Sequence, residues 1–366
     1  MRRAKRLLAA LACLGLCLGL LAGCSSQPKT TVSDNAQRFT AYYFDVFDTM
    51  TQVIAYCDSQ AEFDEQMDAL HQDLVAYHQL YDIYNDYDGI NNIKTINDNA
   101  GVAPVKVDQR IIDMLDEAIR LYDTTGGKLN IAMGSVLAIW HDYREAAEAD
   151  PSDADNALPT QAELEAAAQH CDINDIIIDH EAGTVYLADP EMRLDVGSVG
   201  KGYAVEQVCR AAQARGLISA SVSVGGNLRS IGSKPKGQPW ESGIASPWSD
   251  QLIYNSQTSL IAVVDSDDRA VVTSGDYQRY YTVDGVRYHH IIDPDTLWPA
   301  DYFTAVTILC SDSGLADCLS TGVFCMPLEE GMALIESLDG VEALWCTKDG
   351  QVVTSSGFAQ YQIETE

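Results

Sequence analysis

The sequence predicts an α+β fold, with mixed or antiparallel sheets flanked by helices. Two observations carry this. Apolar side chains recur at helical spacing in the first half of the chain, and β-branched and aromatic runs crowd the second half. The two patterns segregate instead of alternating strictly, which disfavours a parallel sheet built from strand–helix–strand units.

Phe44 to Tyr56 mixes strand formers, most clearly at Val53 to Tyr56, and reads as one opening strand. From Ala61 to Tyr81, Phe63, Met67, Leu70, Leu74, Tyr77 and Leu80 fall on one helical face. Tyr84 to Gly101 is rich in Asn and Asp and reads as loop. Gln109 to Tyr122 carries Ile112, Leu115, Ala118, Ile119 and Tyr122 at helical spacing, and Gly126-Gly127 supplies the glycine that closes a helix. Ala147 to Pro159 is a polar excursion before a helix at Gln161 to His170. Ile176 to Ile178 and Thr184 to Leu187 make a hairpin around Gly183, and a helix runs from Ala204 to Arg215 and stops at Gly216. Strands follow at Ser219 to Val224, Leu260 to Val264, Tyr280 to Val283 and Ala305 to Leu309. Helices at Leu315 to Phe324 and Leu328 to Leu338 and a strand at Ala343 to Trp345 complete the pattern.

The N-terminus reads as a processing signal. Arg2, Arg3, Lys5 and Arg6 precede the apolar run Leu7 to Leu21, which is shorter than the ~20 residues that span a bilayer. Leu21-Ala22-Gly23-Cys24 then has the form of a lipobox, with Cys24 the lipidated residue. The expected organisation is a lipoprotein signal peptide at 1–23, a flexible tether at 24–38 and one large domain, or two intimate subdomains, at 39–366. The expected location is the extracytoplasmic face of a bacterial membrane, held by the lipid. The chain has 366 residues, and the part after the leader exceeds the ~250–300 at which a single core stops growing. Its 54 acidic and 23 basic residues give a net charge of −31, which argues against nucleic acid or anionic lipid as a partner through bulk electrostatics. An anionic ligand therefore needs local help, from a cation and a few basic side chains. Seven of the ten cysteines lie beyond Cys24, scattered and without paired spacing, so a zinc site is disfavoured and no disulfide is assigned.

The densest chemistry lies at Asp195-Val196-Gly197-Ser198-Val199-Gly200-Lys201-Gly202-Tyr203-Ala204. A glycine-rich approach to a helix start, with one lysine, suits phosphate oxygens, although it has neither P-loop nor dinucleotide spacing. Four later segments accompany it: Ser223-Val224-Gly225-Gly226-Asn227-Leu228, Thr273-Ser274-Gly275-Asp276-Tyr277, His289-His290-Ile291-Ile292-Asp293-Pro294-Asp295-Thr296, and Ala316-Asp317 with Thr321. Asp317 and Thr321 are four apart on a predicted helix, so their oxygens share a face. A carboxylate, a hydroxyl and a loop carbonyl are hard oxygen ligands suited to Mg²⁺. On spacing alone, a helix-start Asp and a Thr bonded to its own helix are the commoner arrangement.

In order and approximate separation, these five segments resemble the FAD:protein FMN transferases, the ApbE-type flavin transferases, over about residues 40–355. The resemblance implies an ApbE-like fold and an enzyme that uses FAD as substrate and Mg²⁺ as cofactor. It implies FMN transfer to a Ser or Thr hydroxyl of an acceptor flavoprotein, with release of AMP. Acceptors would be Rnf- or Nqr-type subunits or proteins with an FMN-binding domain. It places the metal on Asp317, Thr321 and the backbone oxygen of Ser198, and makes Lys201, Ser274 and His290 the catalytic residues. Asp195, Lys201, His290 and Ile291 would contact the cofactor, with Met50 and Tyr84 beside the flavin ring and Lys128, Leu129 and Asn130 on a matching Gly-Gly segment. His289 is the lesser choice beside His290, and Asp293 fixes a turn or orients His290.

Four positions depart from the family pattern. Asn130 stands for Asp, Leu129 for Phe, Leu297 for the glycine of the Asp-Pro-x-Thr-Gly signature, and Thr51 for the glycine after Met50. Two other readings fit the same residues: a FAD pyrophosphatase that gives free FMN and AMP, and a non-catalytic flavin-binding lipoprotein.

Overall fold

A computed structural model describes residues 31–149, 158–248 and 260–364. The expected leader, Cys24, the tether as far as residue 30 and the middle of the polar excursion lie outside the described residues. Among the described residues no helix is long and apolar enough to cross a membrane.

The chain opens as a hairpin, β1 (Gln37–Val46) and β2 (Thr49–Cys57), where a single strand is expected. It reverses at Phe47 and Asp48, both with positive φ of 55° and 49°. Such turns usually carry Asn-Gly. Here Phe47 N donates to His78 Nδ1 at 3.2 Å, so a distant side chain helps to hold a turn that the local sequence does not announce. α1 (Gln60–Tyr81) follows, capped by Ser59. The expected loop contains a short helix, α2 (Ile93–Asp98), started by a reciprocal capping box between Asn92 and Thr95. β3 (Val105–Lys106) and α3 (Gln109–Thr124) come next, and Gly126 and Gly127 leave α3 at φ of 60° and 87°. α4 (Gly134–Ala149) was not expected, although it buries Val136, Trp140 and Ala147. α5 (Gln161–Ala168) precedes the expected hairpin of β4 (Ile176–Asp179) and β5 (Thr184–Leu187).

α6 (Gly200–Ala214) begins at Gly200, not Ala204, which places Lys201 and Gly202 in its first turn. The remainder holds β6 (Ala220–Val224), β7 (Asn227–Ile231), β8 (Glu241–Ala245), β9 (Leu260–Asp265) and β10 (Ala270–Gly275). β11 (Tyr280–Val283), β12 (Val286–His289) and β13 (Phe303–Cys310) lead to α7 (Ser313–Phe324) and α8 (Leu328–Glu336). β14 (Glu342–Thr347) and β15 (Val352–Thr354) close the sheet.

The fold is α+β, with an eight-stranded sheet in the order β1-β2-β6-β7-β10-β13-β14-β15. Its neighbouring strands are all antiparallel. Register aligns Thr51, Val224, Asn227, Val272, Ile308 and Ala343 in one row across it. Directly opposed residues point to the same side of a sheet. That side is covered by helices: Val224 packs with Leu70 and Leu74 of α1 and Val205 and Val208 of α6, while Val272, Ile308 and Ala343 pack with Leu319, Val323 and Phe324 of α7. Val271, Leu309 and Leu344 face the other way, onto Ile244 and Val264 of the β8–β9 pair. A separate core gathers α2, α3 and β3 to β5 around Ile112, Leu115 and Val185.

α6 and α7 are locked together by a buried acid. Glu206 accepts from Arg229 Nε of β7 and from Ser313 N of α7, both at 2.9 Å, and from Arg210 Nε at 2.9 Å. This three-way contact fixes the start of α7 against the helix that carries Lys201. Cys171, Cys209, Cys310, Cys318, Cys325 and Cys346 are free thiols.

Candidate active site

Several chain segments converge on one cavity of about 520 Å³. They include the β1–β2 turn, the β6–β7 turn, the last residues of β10, the approach to α6 and one face of α7. The contact that brings the helices together is between backbone and carboxylate. Gly202 N donates to Asp317 Oδ2 at 2.8 Å, out of solvent. Only glycine allows it, because a Cβ at 202 would lie 2.3 Å from Asp317 Cβ and 2.4 Å from the Ser313 carbonyl oxygen.

Gly202 is the third residue of α6, so its N–H is one of the helix-start donors without a partner in the helix, and Asp317 satisfies it. Ser198 lies just before the N-cap Val199, and its carbonyl receives no hydrogen bond from a described residue. Thr321 Oγ1 likewise makes no bond to its own helix; its neighbour there is Ser274 Oγ at 3.5 Å. The adjacent Ser320 Oγ is the one that bonds back, to the Asp317 carbonyl at 2.9 Å, and it meets Ser274 Oγ at 2.8 Å. Asp317, Thr321 and Ser198 thus line one cavity with a carboxylate, a hydroxyl and a carbonyl. Burial raises the Asp317 pKa, against the opposing pull of Lys201, the Gly202 N–H and Asn227. A buried carboxyl beside two uncharged oxygen donors fits a small hard cation, whose charge would favour the ionised carboxylate over the neutral acid.

Asp195 accepts from Gly197 N at 2.8 Å, which bends the approach to α6. Enclosure raises its pKa, while Gly197 N–H, His141, Lys201 and Arg279 oppose the shift. Lys201 Nζ touches only the Gly197 carbonyl, at 3.4 Å. Lys128 lines the cavity too, with its ammonium held by Asp293 Oδ1 at 2.7 Å and Asp295 Oδ2 at 2.8 Å. It ties the Gly-Gly segment to the turn after β12, and Asp293 serves that tie and not His290. Leu129 and Ile291 are almost wholly buried and form part of the cavity wall. Asn130 Oδ1 accepts from Ala132 N at 2.9 Å, and Asn130 Nδ2 donates to the Cys171 carbonyl at 3.1 Å. An aspartate could not make the second bond, which accounts for the departure at this position.

The two histidines separate cleanly. His289 is buried and spends both ring nitrogens, on the Ala300 carbonyl at 2.9 Å and on Ile291 N at 3.2 Å. His290 is exposed in the cavity and uses only Nδ1, facing the Arg279 carbonyl at 3.2 Å. A carbonyl can only accept, so Nδ1 carries the proton and Nε2 keeps its lone pair. The pKa of His290 is pushed down, first by the surrounding protein and then by Arg279, His289 and Lys201.

The remaining wall is aromatic. Tyr84 is exposed and lies 5.4 Å from the His141 ring, held by its own N–H donating to Asp82 Oδ1 at 2.7 Å. Trp140, Tyr281 and Tyr288 form a further aromatic group on this wall, with Trp140 stacked on Tyr288 at 6.2 Å. Met50 is exposed and is not among the lining residues, which include Thr49. Sequence reasoning gave no role to Asn227, His141, Arg144, Arg279 and Tyr281, all of which line the cavity. The signal for Asn227 was present, as a polar residue entering an apolar strand directly after Gly-Gly; Arg279 and Arg144 had none.

The family model described as "ApbE family" matches residues 47–345 of the chain. The chain is 34% identical over 281 residues to the FAD:protein FMN transferase of Treponema pallidum, covering 72% of this chain and 73% of that one. It is 31% identical over 284 residues to the protein of the same name from Vibrio cholerae, covering 77% and 79%. Among solved structures, the ApbE protein of Thermotoga maritima aligns with a TM-score of 0.76 at 27% identity, covering 90% of this chain and all of that one. The flavin transferase ApbE of Vibrio cholerae aligns with a TM-score of 0.73 at 26% identity, covering 89% of this chain.

The structure gives the departure at Leu297 a measurable cost. Leu297 holds φ of 65°, a left-handed conformation in which a residue other than glycine loses about 1–2 kcal/mol. It is retained because its side chain is buried and its carbonyl accepts from Trp140 Nε1 at 2.9 Å. Leu297→Gly removes more side chain than Leu297→Ala but relieves the backbone. The glycine variant is therefore expected to be the more stable of the two, by about 1 kcal/mol in denaturant unfolding. An alanine variant as stable as the glycine variant, or more so, contradicts a strained Leu297.

Proposed function

We propose that this chain, which belongs to the ApbE family, transfers FMN from FAD to a hydroxyl of an acceptor flavoprotein and does so with Mg²⁺ held by Asp317, Thr321 and the Ser198 carbonyl. The observation that carries the metal reading is that the Asp317 carboxylate, the Thr321 hydroxyl and the Ser198 carbonyl line one cavity, beside the Gly202–Asp317 contact that joins α6 to α7. When bound, Mg²⁺ supplies charge neutralisation at the diphosphate of FAD.

The chain's own residues provide the rest. Lys201 Nζ, free of any ion pair among the described residues, is available to the phosphoryl oxygens. Arg279 adds a second cation at the same cavity. Both answer the need for local positive charge in a chain of net charge −31. Tyr84 offers a flat face to a ring system, and the Trp140–Tyr281–Tyr288 wall offers another, matching a substrate with two heterocycles. His290 Nε2 takes the proton of the acceptor's Ser or Thr hydroxyl. The hydroxyl oxygen then bonds to the FMN-side phosphorus, the bond from that phosphorus to the bridging oxygen breaks, and AMP leaves. Ser274 lies beside Thr321 and serves as a polar contact to the substrate. Because His290 is open to solvent, water can occupy the place of the hydroxyl, and slow hydrolysis to FMN and AMP is the accompanying side reaction.

The lipobox at Cys24 supports anchoring by lipid to the extracytoplasmic face of a bacterial membrane. Acceptors of the Rnf or Nqr type, or secreted proteins with an FMN-binding domain, would share that compartment.

Asp317→Asn keeps an acceptor for Gly202 N–H and removes the charge. It should fold and lower FMN transfer by about 100-fold or more at saturating Mg²⁺. The readout is flavin fluorescence that stays with denatured acceptor in a gel, and activity within tenfold of the parent rules out Asp317 as the anionic ligand. A second expectation concerns pH. A lowered pKa keeps the imidazole neutral further into acid, so the acid limb of kcat/KM for the acceptor should lie below the ordinary 6.5 of histidine and vanish in His290→Gln. A limb at or above 6.5, or one unchanged in that variant, removes His290 as the base.

A further inference from the structure

The Val224-Gly225-Gly226-Asn227 segment is the one sequence motif that the reading above leaves without a role. Its geometry is costly to build. Gly225 and Gly226 hold φ of 54° and 94°, and a Cβ on Gly225 would lie 2.6 Å from Thr49 Oγ1. The two-residue turn returns the chain so that Asn227 pairs with Val224 on one side and Val272 on the other. Both neighbours are apolar, and the row faces the helices. Asn227 is 3% exposed, and its Nδ2 is buried without a hydrogen bond of normal geometry. A buried donor left unpaired costs about 1–3 kcal/mol. An aliphatic residue would suit this place in the sheet better. Yet the side chain lines the same cavity as the Asp317 carboxyl.

We propose that Asn227 is a positioning residue of the reaction centre, whose amide closes onto the Asp317 carboxylate when the cation is bound. This rests on the metal reading given above. A carboxylate that gives one oxygen to a metal is usually held through the other by protein donors, and loss of such a donor costs about 10–100-fold in metal affinity or activity. Gly202 N–H is the first such donor to Asp317 Oδ2. Asn227 supplies the second, and as a neutral group it fixes the carboxylate without competing with the cation for it. Because Asn227 sits on the central sheet and Gly202 on a helix, the two donors hold the carboxylate between separate layers of the fold.

The test uses Asn227→Leu, which removes the amide at similar volume, and Asn227→Ala, which removes it without adding bulk. Mn²⁺ is titrated calorimetrically into the parent chain and both variants, with and without FAD, and melting temperatures are taken in the absence of metal. The expected result is a Mn²⁺ dissociation constant raised about tenfold in both variants, with no loss of melting temperature in at least one. A dissociation constant within twofold of the parent overturns the proposal. So does a fall in melting temperature in both variants, which marks Asn227 as structural. A parent chain that transfers FMN but takes up no Mn²⁺ overturns it through the metal reading. FMN transfer by the parent chain, assayed separately, tests the transferase activity itself, so an unchanged Mn²⁺ affinity in an active enzyme removes only the role given to Asn227.

Discussion

The site depends on a backbone N–H that bonds outside its own helix. Gly202 donates to the Asp317 carboxylate across the interface of two helices, at a separation that no other residue at 202 permits. Two features follow from that contact. α6 starts close against α7, and Lys201 is carried in the first turn beside the cavity. The Glu206–Arg229–Ser313 cluster holds the same two helices one turn further along. A buried ion pair of this kind stabilises little in net terms, but breaking it leaves a charge stranded, so it specifies an arrangement more than it strengthens one.

Charge is distributed with the same economy. The chain as a whole repels anions, yet Lys201 and Arg279 face the cavity without an ion pair among the described residues, while Lys128 is neutralised by two aspartates. Positive charge for a diphosphate is thus available in the cavity, whose wall also carries aromatic rings. His290 fits this division. The surrounding protein and then Arg279, His289 and Lys201 push its pKa down, which keeps the imidazole neutral and its Nε2 lone pair available for a proton.

Much of the fold was legible in the sequence, because long amphipathic helices and glycine-bounded strands leave periodic signals. α1, α3, α7 and the β4–β5 hairpin appear close to where the periodicity puts them. The misses have different physical causes. The Phe47–Asp48 turn has no glycine and is held by His78, distant in sequence. α6 begins at Gly200 behind an N-cap, Val199, that makes no side-chain hydrogen bond, so no Ser, Thr, Asp or Asn marks its start. Thr273-Ser274-Gly275 has turn composition but ends a strand, because its backbone pairs with Val306 and its neighbours on β13. In the site, the ordered motifs located Asp317, Thr321, Ser198, Lys201 and His290 in one cavity. Their spacing could not show that Lys128 is already paired, that Asn130 supports a neighbouring carbonyl, or that Asn227 and Arg279 reach the same space.

The central claim is that a divalent cation sits between Asp317, Thr321 and the Ser198 carbonyl. The direct measurement is anomalous diffraction from crystals of the protein grown with FAD and Mn²⁺ in place of Mg²⁺. The account predicts one strong peak about 2.1–2.3 Å from an Asp317 carboxylate oxygen, Thr321 Oγ1 and the Ser198 carbonyl oxygen. A peak bound elsewhere in the cavity, or FAD bound in the cavity with no peak on these three oxygens, contradicts it.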